Sequence, residues 1–284
     1  MVGVGAGVVR RDGESGGSMM GSAIAFRLFL FFIPLLLLIV GIAGFASGHI
    51  EADQVGKSAS ISGGLGGQMR QAFSQSGRAP WVITILGIVG IVSTGRSLSR
   101  VLQAASSNAW GLPMTRKASL RVAGSIAGLA CGMGLVSLLV NRARVELGLG
   151  VATLSFLPAF AVYGVAWLVI SWLLPRGTED PGALLPGAIF VAGVLTAMHA
   201  VSEFYLPDRF SRASELYGAI GATVVTLGWF FILGRAIVVA MVLNPVVYER
   251  YGSVSTLVFS LPVVRALPRR SARLRKFFDL GPPD

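Results

Sequence analysis

The stretch from Leu216 to Arg250 is apolar, and up to Tyr248 it carries a single charge, Arg235. A helix that is apolar on all sides is rare in soluble proteins. In a bilayer, however, about 20 consecutive apolar residues are needed to cross the hydrocarbon core. The run therefore predicts a membrane-spanning helix. A charge inside such a helix is costly and marks a candidate site.

The composition extends this interpretation to the whole chain. Hydrophobic residues make up 54% of the sequence and charged residues 13%, against about 25% charged in soluble domains. We therefore predict an all-α polytopic membrane protein with a disordered Gly-rich head at 1–18 and a basic tail at 253–284. The uncharged stretches predict six transmembrane helices, at about 22–45, 80–95, 120–140, 151–174, 184–206 and 216–244. The second helix is expected to continue as a partly polar helix to Trp110, and 207–212 to form a polar loop.

The distribution of basic residues predicts the orientation. Six spans place both termini on one side, and most of the 24 lysines and arginines fall on that side. The positive-inside rule makes that side the cytoplasm. The net charge of +11 is thereby explained without a nucleic-acid partner. Two interpretations of the tail stay open: it lies on an anionic leaflet, or it is solvated and only fixes the topology.

Small residues and one proline predict how the helices pack. Gly124, Gly128 and Gly132 recur every four residues and predict a close helix contact, as do Gly218 and Gly221. Pro34 removes a backbone donor from the first span and predicts a hinge. Arg27, Phe31, Pro34 and Leu38 share one face of that helix.

Four polar residues in or beside the spans are candidate binding residues. Arg27 lies near the start of its helix, so it either reaches the interface or contacts a ligand. Arg235 lies deeper and is expected either to face the bundle or to bind an anion. His199 and Glu203 are four residues apart on one helix; they form either a proton-sensitive pair or an ordinary interfacial contact. Glu203 is expected near the opposite membrane boundary and is therefore a poor partner for Arg235.

Catalytic chemistry finds little support in the residue inventory. The chain has one cysteine and two histidines, and no acidic cluster lies near either histidine. Metal ligation and metal-dependent hydrolysis need such a cluster. We therefore predict no enzyme activity, no metal and no cofactor.

Two blocks resemble the YihY/BrkB family of bacterial inner-membrane proteins, including its YhjD-like branch. One is the first span, where Ala23-Ile24-Ala25-Phe26-Arg27 leads to Phe32-Ile33-Pro34-Leu35-Leu36. The other is Tyr217-Gly218-Ala219-Ile220-Gly221-Ala222 followed by Trp229. Asn244 matches the family's Gly-Ala-Glu-x-Asn ending of the last span and joins the candidate binding residues. Val242 stands where the family has the glutamate, so a role for that acid does not carry over.

The resemblance implies a multi-pass protein of the bacterial inner membrane that serves the cell envelope. It favours transport or flipping of a lipid or another anionic amphiphile, with membrane lipids as partners. The alternative is a membrane scaffold that transports nothing. A ribonuclease label attached to the family disagrees with the residue inventory above. Homo-oligomer formation stays open.

Overall fold

The computed structural model describes residues 3–46, 80–113, 119–129, 156–204 and 206–253. These residues are helical apart from short turns and caps, as predicted. The helices are α1 (Val4–Glu14), α2 (Gly17–Ala46), α3 (Pro80–Ala109), α4 (Leu120–Leu129), α5 (Phe156–Leu173), α6 (Leu185–Phe204) and α7 (Leu206–Tyr251), with a 3-10 turn at Pro181–Leu184.

Four of the described helices are long and apolar enough to cross a membrane. The qualifying segments are Gly17–Ile39, Trp81–Ala109, Pro181–Val201 and Thr223–Tyr251. Leu120–Leu129 and Leu157–Leu173 are shorter apolar helices, and they fall within the predicted third and fourth spans. Residues 130–155 lie outside the described part of the chain, as do 47–79 and the tail from 254. Six spans and cytoplasmic termini therefore stay predictions.

Two local predictions are wrong. The head was expected to be disordered, but Val4–Glu14 form α1. Residues 207–212 were expected to form a polar loop, but they lie in the first turns of α7. Proline is tolerated at the start of a helix because its missing N–H has no intrahelical partner there. Pro207, the second residue of α7, therefore does not prevent the helix from starting.

Other local predictions are confirmed. The second span and the polar segment after it form one helix, α3, which ends beside Trp110. Gly111, at φ 66°, closes this helix, with the Leu112 amide donating to the Ser107 carbonyl oxygen at 2.8 Å. Such a cap requires a left-handed residue, for which glycine is best suited. Pro186 falls in the first turn of α6, as its position in the sequence predicts.

The arrangement of the described helices is centred on α7. This helix contacts α1, α2, α3 and α6; α3 packs mainly on α2, and α5 packs on α6. The ends of α3, α5 and α7 meet at one end of the bundle. There the Ser106 hydroxyl donates to the Pro175 carbonyl at 2.7 Å, and the ring centroids of Trp110 and Tyr248 are 6.0 Å apart. The turn between α1 and α2 lies at the same end of the bundle, because the Asn108 side-chain amide of α3 donates to the Ser15 carbonyl at 2.7 Å. We call this the capped end.

Candidate functional site around Arg235

The intramembrane arginine predicted from the sequence is paired with an aspartate of the N-terminal helix. Arg235 lies within the apolar segment of α7. Its Nη2 is 2.9 Å from Oδ2 of Asp12, and its Nη1 is 3.4 Å from Oδ1. The side chains are 29% and 17% exposed, respectively. Both oxygens of the carboxylate therefore face the guanidinium, which is the fork geometry that arginine offers to carboxylates and phosphates.

Glycines make room for this pair. A Cβ at Gly17 would lie 2.5 Å from the Asp12 carboxyl carbon, and a Cβ at Gly21 would lie 2.7 Å from Cδ of Arg235. A Cβ at Gly234 would collide with the Gly21 carbonyl and lie 2.9 Å from the Ala25 amide nitrogen. These contacts are tighter than normal van der Waals separations. The absence of three side chains thus lets α2 and α7 cross closely beside the ion pair.

Aromatic side chains of α2 and α7 form a layer on the side of the pair away from the capped end. Phe230 of α7 contacts Phe32 and Phe29 of α2 edge-to-face, with centroid separations of 5.3 and 6.4 Å. Phe230 lies five residues before Arg235, away from the capped end. The ion pair therefore lies between an apolar aromatic layer and the capped end of the bundle.

A second ion pair holds α1 against α7. Nη1 of Arg11 donates to both carboxylate oxygens of Glu249, at 2.7 and 2.6 Å. A Cβ at Gly7 would lie 3.3 Å from the Val246 side chain. Gly16, at φ 63°, ends α1 and turns the chain directly into α2. A Gly-rich helix of 11 residues is too short to be stable alone, so these tertiary contacts account for α1 and for the failed prediction of disorder.

The other predicted arginine, Arg27, faces a neighbouring helix. Its Nη1 donates to the Ser97 hydroxyl of α3, and both residues are half-buried. Further along the same face, a Cβ at Gly90 would lie 2.5 Å from Cβ of Pro34, and one at Gly87 would lie 2.7 Å from the Leu38 amide. The face predicted to be shared by these α2 residues is therefore the α3 contact face. Whether Pro34 is a hinge stays a prediction.

Asn244 and His199 are buried and contact other helices. The Asn244 side-chain oxygen accepts from the Gly187 amide at 2.7 Å. Gly187 lies in the first turn of α6, where backbone amides have no partner within the helix. The Asn244 side chain of α7 thus caps the N-terminal end of α6. Nδ1 of His199 lies 3.3 Å from the Tyr163 hydroxyl of α5.

Several predicted residues are not brought to this site or lie outside the description. His199 belongs to the α5–α6 contact, and Glu203 lies in the last turn of α6 with its side chain outside the described part. In the described structure a Cβ at Gly124 or Gly128 would meet nothing within 4 Å. Gly132 and the surroundings of Gly218 lie outside the described part, whereas Gly221 is buried. Close packing through these glycines stays a prediction.

Sequence reasoning missed Asp12 and Arg176. Glu203 is the only acid in the six predicted spans and was expected near the opposite boundary, whereas Asp12 lies in the head, outside the spans. Arg176, just after α5, stacks on Trp172 with its guanidinium carbon 3.7 Å from the ring centroid, and its Nε donates to the Thr178 carbonyl at 3.0 Å. Burial lowers the pKa of Arg176, and nearby Glu179 partly offsets this. The group stays charged, because arginine does not deprotonate in proteins.

A polar cleft of about 590 Å³ opens at the capped end beside Arg176. Its walls are residues 174–179 and Tyr248. The cleft and the Arg235 site are separate, since their residues do not overlap.

Comparison with known proteins identifies a family. A family model described as "Virulence factor BrkB" matches residues 8–257. The match begins inside α1, so it includes Asp12 as well as Arg235. No curated protein and no solved structure matches the chain significantly.

Proposed function

Since this chain belongs to the virulence factor BrkB family, we propose that it moves a lipid or another anionic amphiphile across the bacterial inner membrane. The observation that carries the proposal is the fork-like pairing of Arg235 with a carboxylate from a separate helix. A phosphate group presents two oxygens to a guanidinium in the same way as a carboxylate does. Asp12 therefore occupies the position that the headgroup of an anionic substrate would take.

This pairing has an energetic advantage for a transporter. An uncompensated arginine inside the membrane is costly, so the site needs an anion when no substrate is bound. Asp12 supplies that anion in the resting state. Because it is carried on α1, which is joined to α2 through Gly16, it is able to leave without unfolding a spanning helix. A headgroup then exchanges with the carboxylate, and the charge on Arg235 is neutralised in both states.

The cycle assigns roles to the surrounding residues. Gly21 and Gly234 let α2 and α7 approach in the resting state, and their separation opens the space for a headgroup. Phe230 and its partners on α2 limit access from the other side until the helices separate. The distribution of basic residues predicts cytoplasmic termini, and with that orientation the capped end faces the inner leaflet.

The test is translocation of fluorescent phosphatidylglycerol in proteoliposomes, with phosphatidylcholine as the uncharged comparison. Arg235→Ala is expected to abolish the selective movement of phosphatidylglycerol. Asp12→Asn leaves Arg235 without its resting anion, so it is expected to strengthen phosphatidylglycerol binding while slowing release. Arg10→Ala is the matched control, because Arg10 lies on α1 and, among the described residues, pairs only with exposed Glu14.

Two results would contradict the proposal. Unchanged phosphatidylglycerol movement in Arg235→Ala would remove the role of that residue. Wild-type movement no faster than in protein-free liposomes would remove transport of this lipid.

A second candidate is a membrane scaffold without transport. The specific observation in its favour is the tight crossing of α2 and α7, where Gly234 leaves no space for a headgroup against Gly21 and Ala25. In a scaffold, Asp12 satisfies Arg235 permanently. This candidate predicts that a disulfide joining α1 to α7 leaves function in cells intact, whereas transport predicts that the same disulfide stops it until it is reduced.

A further inference from the structure

The polar cleft at the capped end lies just beyond the apolar helices. Its walls are residues 174–179, which follow α5, and Tyr248 of α7. The apolar segments of α6 and α7 begin and end, respectively, within one turn of these walls. Trp110 contacts Tyr248, and Trp172 stacks on the arginine of the cleft. Because tryptophan and tyrosine are enriched at the membrane–water interface, the cleft is at the height of lipid headgroups.

Contacts with α3 fix the wall formed by residues 174–179. The Pro175 carbonyl accepts from the Ser106 hydroxyl at 2.7 Å. A Cβ at Gly177 would lie 2.8 Å from Cε3 of Trp110, so glycine lets the backbone lie directly against the indole. The wall is thus formed before a ligand arrives, which lowers the free energy needed to order the site on binding.

Arg176 is fixed in this wall and keeps donors for a ligand. Its Nε donates to the Thr178 carbonyl at 3.0 Å, and its Nη1 donates to the Trp172 carbonyl. An arginine carries five N–H donors. Within the described residues, Nη2 of Arg176 and the Tyr248 hydroxyl make no hydrogen bond. These groups are therefore open to the oxygens of a phosphate, which a guanidinium binds well.

Glu179 brings the opposite charge to the same cleft. It is exposed, and it lines the cleft together with Arg176. Burial lowers the pKa of Arg176 and the charge of Glu179 partly offsets this, so the two charges are close enough to interact. Among the described residues, however, they form no direct ion pair. The next acid on α7, Glu249, is already paired with Arg11. The cleft thus offers one positive and one negative charge that are separated, which suits a ligand carrying both.

We propose that the cleft binds a phosphoethanolamine group, with the phosphate on Arg176 and the ammonium on Glu179. Phosphatidylethanolamine of the bilayer supplies this group, as does its water-soluble glycerol phosphodiester. Phosphatidylglycerol has no ammonium for the carboxylate, and the quaternary ammonium of phosphatidylcholine has no N–H to donate. The volume of about 590 Å³ is within the ~300–1,000 Å³ of ligand pockets. The site does not depend on the proposed transport, because it shares no residue with the Arg235 site.

The experiment is native mass spectrometry of the full chain with equal amounts of the three phospholipids, matched in acyl chains. Wild type should retain phosphatidylethanolamine over phosphatidylcholine about tenfold, the value of one hydrogen bond to a charged group. Glu179→Gln should remove this preference. Glu14→Gln is the matched control and should keep it, because exposed Glu14 is also an acid but does not line the cleft. Equal retention of the two lipids by wild type would overturn the proposal, as would equal effects of the two glutamine variants.

A second variant tests the phosphate contact. Arg176→Lys keeps the charge but loses the planar fork, so it should weaken retention of phosphatidylethanolamine and phosphatidylcholine alike, by about fivefold for one lost hydrogen bond. Unchanged retention would overturn the role of Arg176. Because Glu179 is exposed, Glu179→Gln keeps the test decisive if Arg176→Lys does not fold.

Two further arms identify the source of the group and separate this site from transport. Displacement of the bound lipid by glycerophosphoethanolamine assigns the soluble ester as a ligand, and its failure to displace assigns the membrane lipid. Arg235→Ala removes the anion site of the proposed transporter. In that variant phosphatidylethanolamine should be retained over phosphatidylglycerol as well, and a preference for phosphatidylglycerol there would overturn the ammonium contact.

Discussion

The Asp12–Arg235 pair predicts a measurable coupling between the N-terminal helix and the bundle. The perturbation is a double-mutant cycle of Asp12→Asn and Arg235→Gln, which removes each charge while keeping a polar side chain. Two unit charges about 4 Å apart attract by about 4 kcal/mol at an effective dielectric constant near 20. Desolvation and the residual exposure of both side chains, 29% and 17%, reduce this value. We expect a net coupling of about 2 kcal/mol, below the ~3–5 kcal/mol lost when one partner of a fully buried pair is removed.

The assay is unfolding of the full chain in mixed micelles titrated with dodecyl sulfate, followed by circular dichroism. Either single variant should lower the free energy of unfolding by about 2 kcal/mol, since each leaves one charge uncompensated. The double variant should lose little more than either single one. The reference cycle is Arg10→Gln with Glu14→Gln. That exposed pair is separated by 3.8 Å on one helix and should give a coupling of about 0.3 kcal/mol. Equal couplings in the two cycles would refute the role of Asp12 in holding α1.

Three further predictions concern the helix crossings. Gly234→Ala should destabilise the protein by about 2 kcal/mol or more in the same dodecyl sulfate titration, because the new methyl group collides with backbone atoms of α2. The control Gly228→Ala should leave the stability unchanged, because a Cβ at Gly228 meets nothing within 4 Å. Asn244→Ala should lower the free energy of unfolding by about 1–2 kcal/mol, because the Gly187 amide loses its capping oxygen. Hydrogen exchange should become faster only in the first turn of α6, and unchanged exchange there would contradict the cap. Arg27→Met should leave the stability in thermal melts within about 1 kcal/mol of wild type, because the contact of Arg27 with α3 compensates the burial of its charge without adding net stability. A larger loss would show that the contact stabilises the α2–α3 pair.

Much of the helical layout could be predicted because its cause is local. Uncharged length located α2, α3, α6 and α7, and helix periodicity placed Arg27 and Pro34 on one face. That face contacts α3 because its residues pack against glycines of α3. The sequence of α2 alone does not specify which helix supplies these glycines.

The partner of Arg235 could not be predicted for a different reason. Asp12 is 223 positions away and lies in a segment with weak intrinsic helix preference, rich in glycine. Its position depends on α1 folding against α7 and on Gly16 reversing the chain. The same dependence on distant contacts explains the glycines. Gly21, Gly187 and Gly234 form close crossings without any regular spacing, whereas the regularly spaced Gly124 and Gly128 form none among the described residues.

The surroundings of α7 change along its length. Its 46 residues span about 69 Å at 1.5 Å per residue, roughly twice the ~30 Å hydrocarbon core. Before Arg235, side chains such as Ile220, Val224 and Ile232 are exposed, as expected for lipid contact. After it, residues 236–238, 240–242 and 244–245 are almost completely buried by other parts of the protein. Apolar character thus serves lipid contact in the first part and protein packing in the second. Arg235 lies at the boundary between the exposed part of α7 and the buried part. At this position the Asp12 carboxylate of α1 reaches the guanidinium without lying beside the exposed part of the helix.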